Sequence, residues 1–120
     1  MRPDSKKLLY DMKEAADNVA SFLDKAAAAA DLSGDKMMRA AIYFQFMIIG
    51  EALSQLRAKD GATAERISEY ERVIGFRNQV THGYGQLDDD ITWRIIQDKL
   101  PILRRELEGL LAEGREDRLG

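Results

Sequence analysis

The sequence predicts an all-α fold, an antiparallel bundle of four to five helices in one domain. Three observations carry that expectation. The 120 residues contain only two prolines, Pro3 and Pro101. The chain is rich in Ala, Leu, Glu, Lys and Arg and lacks alternating β-branched segments. Apolar residues return at steps of three and four over long stretches, the period of one helix face.

Ser5 is placed to cap a first helix, along which Leu8, Met12, Ala15, Val19, Phe22 and Ala26 form one stripe. The alanine run 26–30 extends this helix or frays toward Asp31, and Ser33-Gly34 marks a turn. A second helix is expected to start near Asp35. One of its seams, Met38, Ile42, Gln45, Ile49, Ala52 and Leu56, is flanked by another, Met37, Ala41, Phe44 and Ile48. Two adjacent stripes are wider than one partner helix covers, which makes this the central helix and leaves apolar surface for a homodimer to bury. Lys59-Asp60-Gly61 supplies the stop. Glu51, directly after Gly50, stands in otherwise apolar surroundings. It reads either as an exposed or snorkelling carboxylate or as a buried partner for an arginine.

A third helix is expected from about Ala62 to His82, with Ile67, Tyr70, Ile74 or Val73, and Val80 as its apolar positions and Gly83 and Gly85 as its end. Asp88-Asp89-Asp90 opens a fourth, where carboxylates suit the cap and the positive end of the helix dipole. Ile91, Ile95 and the segment 96–100 follow. Pro101 is expected to kink or restart this helix, and Leu103, Leu107 and Leu110 continue its stripe. The helical domain is placed at residues 1–113 and a charged, flexible tail at 114–120.

Composition narrows the function. With 18 basic and 21 acidic residues the net charge is −3. A protein that gripped long nucleic acid by general counterion release would be basic, so any polynucleotide contact is confined to a local site. The absence of cysteine excludes disulfides, thiolate zinc and cysteine nucleophiles. Together with the lack of an apolar leader, it fits a cytoplasmic protein. The longest apolar run, 40–50, is interrupted by Gln45 and falls short of the roughly 20 residues that cross a bilayer. There is no P-loop, no G-x-S-x-G and no dinucleotide fingerprint. Asp11, Glu14, Asp17 and Glu51 show no paired ligand pattern with a histidine, so neither a metal nor a cofactor is expected. Tyr10, Tyr43, Phe44, Phe46, Tyr70 and Trp93 have the helical spacing of core or dimer packing rather than of base-stacking platforms.

The chemistry gathers around the single histidine, His82, in Arg77-Asn78-Gln79-Val80-Thr81-His82-Gly83-Tyr84. Imidazole transfers protons in both directions near neutrality, and guanidinium offers a phosphate two parallel donors. At about 100° per residue, Arg77 and Tyr84 fall about 20° apart around a regular helix, but Arg77 and His82 about 140°. The expectation is therefore that the helix ends at His82, with Gly83 and Gly85 letting the imidazole and Tyr84 swing back toward Arg77. A purely structural account remains open. His82 would then answer the negative end of the helix dipole, Arg77 would pair with Glu69 or Asp88, and Tyr84 would pack.

Arg77-x4-His82-x-Tyr84, preceded by Ile49-Gly50-Glu51-Ala52 and followed by Ile91-Thr92-Trp93-Arg94-Ile95-Ile96 and Leu100-Pro101, resembles the HepT family of the HEPN superfamily over nearly the whole chain. The resemblance implies the toxin of a prokaryotic toxin–antitoxin pair. It would be a helical homodimer whose paired motifs meet in a cleft between protomers and cut RNA without a metal. Its implied partner is a minimal nucleotidyltransferase antitoxin that transfers AMP units from ATP to the motif tyrosine. Carried over residue by residue, Arg77 and His82 are catalytic, Asn78 is an active-site contact and Tyr84 is the AMP acceptor. Val80 keeps the family's apolar residue two positions before the histidine, whereas Thr81 departs from the apolar residue often found directly before it. The implied substrate is RNA, a structured one such as transfer RNA or a messenger RNA. A second class of function is a non-catalytic dimeric nucleotide- or protein-binding module paired with the same nucleotidyltransferase. Asp88-Asp89-Asp90 would serve either as a helix cap or as a contact for a basic patch on the partner.

Overall fold

Five helices follow one another in the computed structural model, which describes residues 2–26, 36–68, 70–83 and 89–119. They are α1 (Pro3–Ala26), α2 (Lys36–Lys59), α3 (Gly61–Ala64), α4 (Tyr70–Gly83) and α5 (Asp89–Leu119), and no strand occurs among the described residues. α1 packs against α2 and α5, and α2 packs in turn against α3 and α4. The register of side-chain contacts shows the directions. Ser5 meets Asp60 and Asn18 meets Gln45, while Lys13 meets Glu108 and Asp17 meets Arg104, so α1 runs antiparallel to both α2 and α5. The molecule measures 49 × 31 × 18 Å, two helix layers deep at about 10 Å per helix.

The expected stripes form the core. Leu8, Met12, Ala15 and Val19 of α1, Ile42, Ile49, Ala52 and Leu56 of α2, and Leu103, Leu107 and Leu110 of α5 are buried, joined by Leu9, Phe46 and Leu53. The second seam of α2 behaves differently. Met37 and Phe44 are 85% and 59% exposed, and Ala41 and Ile48 are half-buried. Among the described residues no helix is long and apolar enough to cross a membrane.

Four local expectations change. Ser5 does not cap α1. The helix starts at Pro3, where the missing N–H is no loss, and the buried Ser5 donates its hydroxyl to Asp60 Oδ2 at 2.8 Å. Asp60 is the true capping residue. Its carboxylate accepts from the Thr63 backbone N–H at 3.3 Å and the Thr63 hydroxyl at 2.7 Å, opening α3, while Arg2 donates to the Lys59 carbonyl that closes α2.

The single third helix expected over 62–82 is two helices. Ile67 turns fully into the core, and the amides of Arg66 and Ile67 bond three residues back, to the carbonyls of Thr63 and Ala64. α5 holds the break. Glu106 accepts from the Ser68 backbone N–H and hydroxyl, and Glu113 takes both terminal nitrogens of Arg66. Pro101 does not divide the last helix. It lies inside the 31-residue α5, so the count of five comes from the break at 65–68. Helical backbone also continues through 114–119, the residues read as a tail.

Candidate active site

Arg77 sits where α4 crosses α2. On α4 its neighbour Phe76 packs edge-on against Tyr43 at 5.7 Å and Phe46 at 5.8 Å, aromatic contacts that help dock the helix onto α2. Tyr43 and Phe46, two of the aromatic residues expected to pack, are thus packing groups.

Beside this contact the helices approach at Gly50. A Cβ placed there would stand 2.5 Å from Arg77 Cβ and 3.2 Å from both Arg77 Cγ and the Val73 carbonyl oxygen. Only a residue without a side chain permits that distance. The next residue of α2 closes the arrangement. Glu51 Oε2 lies 2.7 Å from Arg77 Nη2, with the two side chains 49% and 32% exposed. Gln55, one turn on, donates from Nε2 to the other carboxylate oxygen at 3.3 Å. Glu51 is therefore an arginine's partner, as one of its two readings held, but at the surface rather than buried. Sequence reasoning singled out Glu51 without identifying its arginine, and it missed Gly50 as the reason the two can meet. The available signal was a glycine and a carboxylate side by side within an apolar helix.

Arg77 and Glu51 line an open groove of about 780 Å³ along the α1–α2 face. Its charged lining is Asp4, Asp11, Glu14 and Glu51 against Lys7, Lys59 and Arg77. A groove with more carboxylates than cations does not track a phosphate backbone along its length.

Asn78 and His82 are placed as backbone positions in the last turns of α4, which continues to Gly83. The helix thus does not end at His82, and positions 77 and 82 keep the separation of a regular helix, about 140° around the axis and about 7.5 Å along it. Tyr84 and Asp88 lie outside the described residues, as does Glu69, one of the alternative partners for Arg77.

The all-helical fold is consistent with that of a helical ribonuclease family. The family model described as "Ribonuclease HepT-like" matches residues 12–110, and the chain belongs to that family. A curated relative from Methanocaldococcus jannaschii, named "Putative RNase MJ1380", is 30% identical over 105 residues, covering 88% of this chain and 94% of the relative. No solved structure matches the chain.

Proposed function

We propose that this HepT-like protein is the toxin of a prokaryotic toxin–antitoxin pair, a metal-independent endoribonuclease that works as a homodimer in the cytoplasm. The observation that carries the reading is Arg77 fixed in the groove wall by Glu51, in a chain whose residues 12–110 match a ribonuclease family. RNA supplies its own nucleophile. The reaction needs a base for the 2′-hydroxyl proton, an acid for the departing 5′-oxygen, and cations for the charge that builds on phosphorus-bound oxygens.

One imidazole cannot be base and acid in the same displacement. Two chains supply two. Met37, Phe44 and Glu51 recur at steps of seven, so the exposed apolar stripe of α2 leads directly to the carboxylate that holds Arg77. A second copy laid on that stripe about a two-fold axis brings a second Arg77 and His82 toward the first. Within the cleft, one His82 takes the 2′-hydroxyl proton as the 2′-oxygen attacks phosphorus. The bond to O5′ breaks, and the partner's His82, as imidazolium, protonates the leaving oxygen. The two Arg77 side chains and Asn78 contact the phosphate. The products carry a 2′,3′-cyclic phosphate and a 5′-hydroxyl, and DNA, without the 2′-hydroxyl, is spared.

Silencing is assigned to Tyr84. A nucleotidyltransferase antitoxin would direct the phenol oxygen onto the α-phosphorus of ATP, releasing pyrophosphate and the phenolic proton. The AMP left two residues from His82 would bring phosphate to the arginine site.

The test is cleavage of RNA by the purified, unmodified protein in excess EDTA. Arg77→Ala and His82→Ala are expected to abolish it, and retained cleavage after His82→Ala rejects the acid–base role. Co-expression with the nucleotidyltransferase is expected to add AMP mass increments to the Tyr84 peptide, and Tyr84→Phe to prevent them.

A further inference from the structure

We propose that Glu51 is a positioning residue for the cleavage reaction, setting the direction in which Arg77 presents its guanidinium to phosphate. The inference rests on the ribonuclease reading of Arg77 but concerns a residue to which that reading gives no role. Three observations converge. Gly50 lets the α4 backbone come so close that the first two carbons of the Arg77 side chain lie against α2. Glu51, the next residue, grips Nη2 at the far end of the same side chain, at 2.7 Å. Gln55 holds the second oxygen of that carboxylate at 3.3 Å, so the gripping group is itself oriented from the next turn of α2. The arginine is thus fixed at its root and at its tip by consecutive residues of one helix.

The chemistry makes this more than a surface ion pair. An arginine is long and flexible, and a phosphate bound by two parallel N–H donors demands that the guanidinium plane be set before substrate arrives. Glu51 engages one terminal nitrogen of a guanidinium that carries five N–H donors, and this contact at the tip, with the packing at the root, sets the direction in which the group points. The carboxylate also subtracts charge from the phosphate site. Because it is half-exposed, water screens that loss, while the orientation it imposes is geometric and unscreened. Orientation therefore outweighs repulsion. A residue that only stabilised the fold would do little here, since exposed ion pairs contribute marginally to stability.

The experiment compares the full-length wild type with Glu51→Gln and Glu51→Asp. It uses steady-state cleavage of an RNA oligonucleotide and nuclear magnetic resonance of the Arg77 guanidinium. Glu51→Gln is expected to lower kcat about tenfold to a hundredfold with KM changed less than about threefold, the mark of lost alignment rather than lost binding. Glu51→Asp, which keeps the charge, should restore part of kcat. The two terminal nitrogens of Arg77 should give separate signals in the wild type and one averaged signal in Glu51→Gln, where rotation is released. Unchanged kcat in Glu51→Gln overturns the proposal, as does an Arg77 spectrum that the substitution leaves unaltered. A rise in kcat with a fall in KM also overturns it, by showing that the carboxylate competes with phosphate. Full cleavage by Arg77→Ala would instead remove the ribonuclease role of the arginine, a failure that the spectra do not share.

Discussion

Gly50 and Arg77 are packed so closely that an added Cβ on the glycine would stand 2.5 Å from the arginine's own Cβ, with the Val73 carbonyl oxygen at 3.2 Å. Neither neighbour is the far end of a flexible side chain, so an added methyl must push α4 away from α2. Gly50→Ala is expected to destabilise the protein by about 1–3 kcal/mol, the usual cost of overpacking, despite alanine's better helix propensity. Urea unfolding measures the loss. RNA cleavage should fall further than the folded fraction does, because the displaced α4 carries Arg77. A variant as stable as the wild type would show that the helices separate without strain.

Ile67 holds the break between α3 and α4. It is fully buried although it lies in a turn, and its position directs the chain into the helix that bears Arg77. Ile67→Ala removes that anchor and should cost about 2–5 kcal/mol by the transfer and cavity terms of a core truncation. Ser68→Ala tests the polar side of the same break. It removes one of the three bonds to Glu106 and should cost about 1 kcal/mol. If Ile67→Ala unfolds at the wild-type urea midpoint, the turn is not an anchor.

Asp60 gives the fold a pH dependence with a defined sign. The Thr63 hydroxyl, then the Ser5 hydroxyl, hold its carboxyl below the ordinary value of 3.8, against a smaller opposing effect of burial, with the Thr63 amide and Arg2 adding to the lowering. A carboxyl lowered in the folded state contributes stability that is complete above the unfolded value and is lost as pH falls through the folded one. The stability difference between the wild type and Asp60→Asn should therefore be constant from neutrality down to about pH 4 and shrink below it. Asp17 acts in the same direction. Burial would raise its pKa, but hydrogen bonds from Lys13 and Arg104 outweigh that and lower it. Denaturant titrations at several pH values would show the gap closing, and a gap that widens in acid would contradict the assignment.

Periodicity was enough for the parts of the fold governed by one helix face. Most positions of the α1 stripe, of the first α2 seam and of the Leu103–Leu110 stripe of α5 are buried, with Phe22, Met38 and Gln45 half-buried and Ile95 42% exposed, because a step of three or four residues is a local property of the chain. The parts set by distant partners were not legible in the same way. Ser5 follows α1's sequence logic as a cap until Asp60, 55 residues on, takes its hydroxyl. The segment 65–68 contains neither glycine nor proline to announce a break, and its break depends on Ile67 burial and on Glu106 and Glu113 of α5. At the site, Arg77 was identified by its spacing to His82. Its partner Glu51 lies 26 residues away on another helix, and no local pattern joins the two.

The exposed seam of α2 offers the sharpest test of the dimer. Phe44 is 59% exposed and lies between Met37 and Glu51 on the seven-residue steps that lead to Arg77. An aromatic ring left this open contributes little to folding, so Phe44→Glu should change unfolding stability by no more than about 0.5 kcal/mol. In a two-fold dimer, however, the substitution acts twice. Losing the burial of two rings removes roughly 3–6 kcal/mol of association energy, or about two to four orders of magnitude in the dissociation constant. Two new carboxylates facing each other across the axis add repulsion. Sedimentation velocity should therefore find the wild type dimeric and Phe44→Glu monomeric at the same concentration. RNA cleavage by the variant should fall in parallel and recover only at concentrations that restore the dimer, if each displacement draws one imidazole from each chain as proposed. A monomeric variant with undiminished cleavage would separate the chemistry from the dimer, and an unchanged dimer would assign the pairing face to another surface.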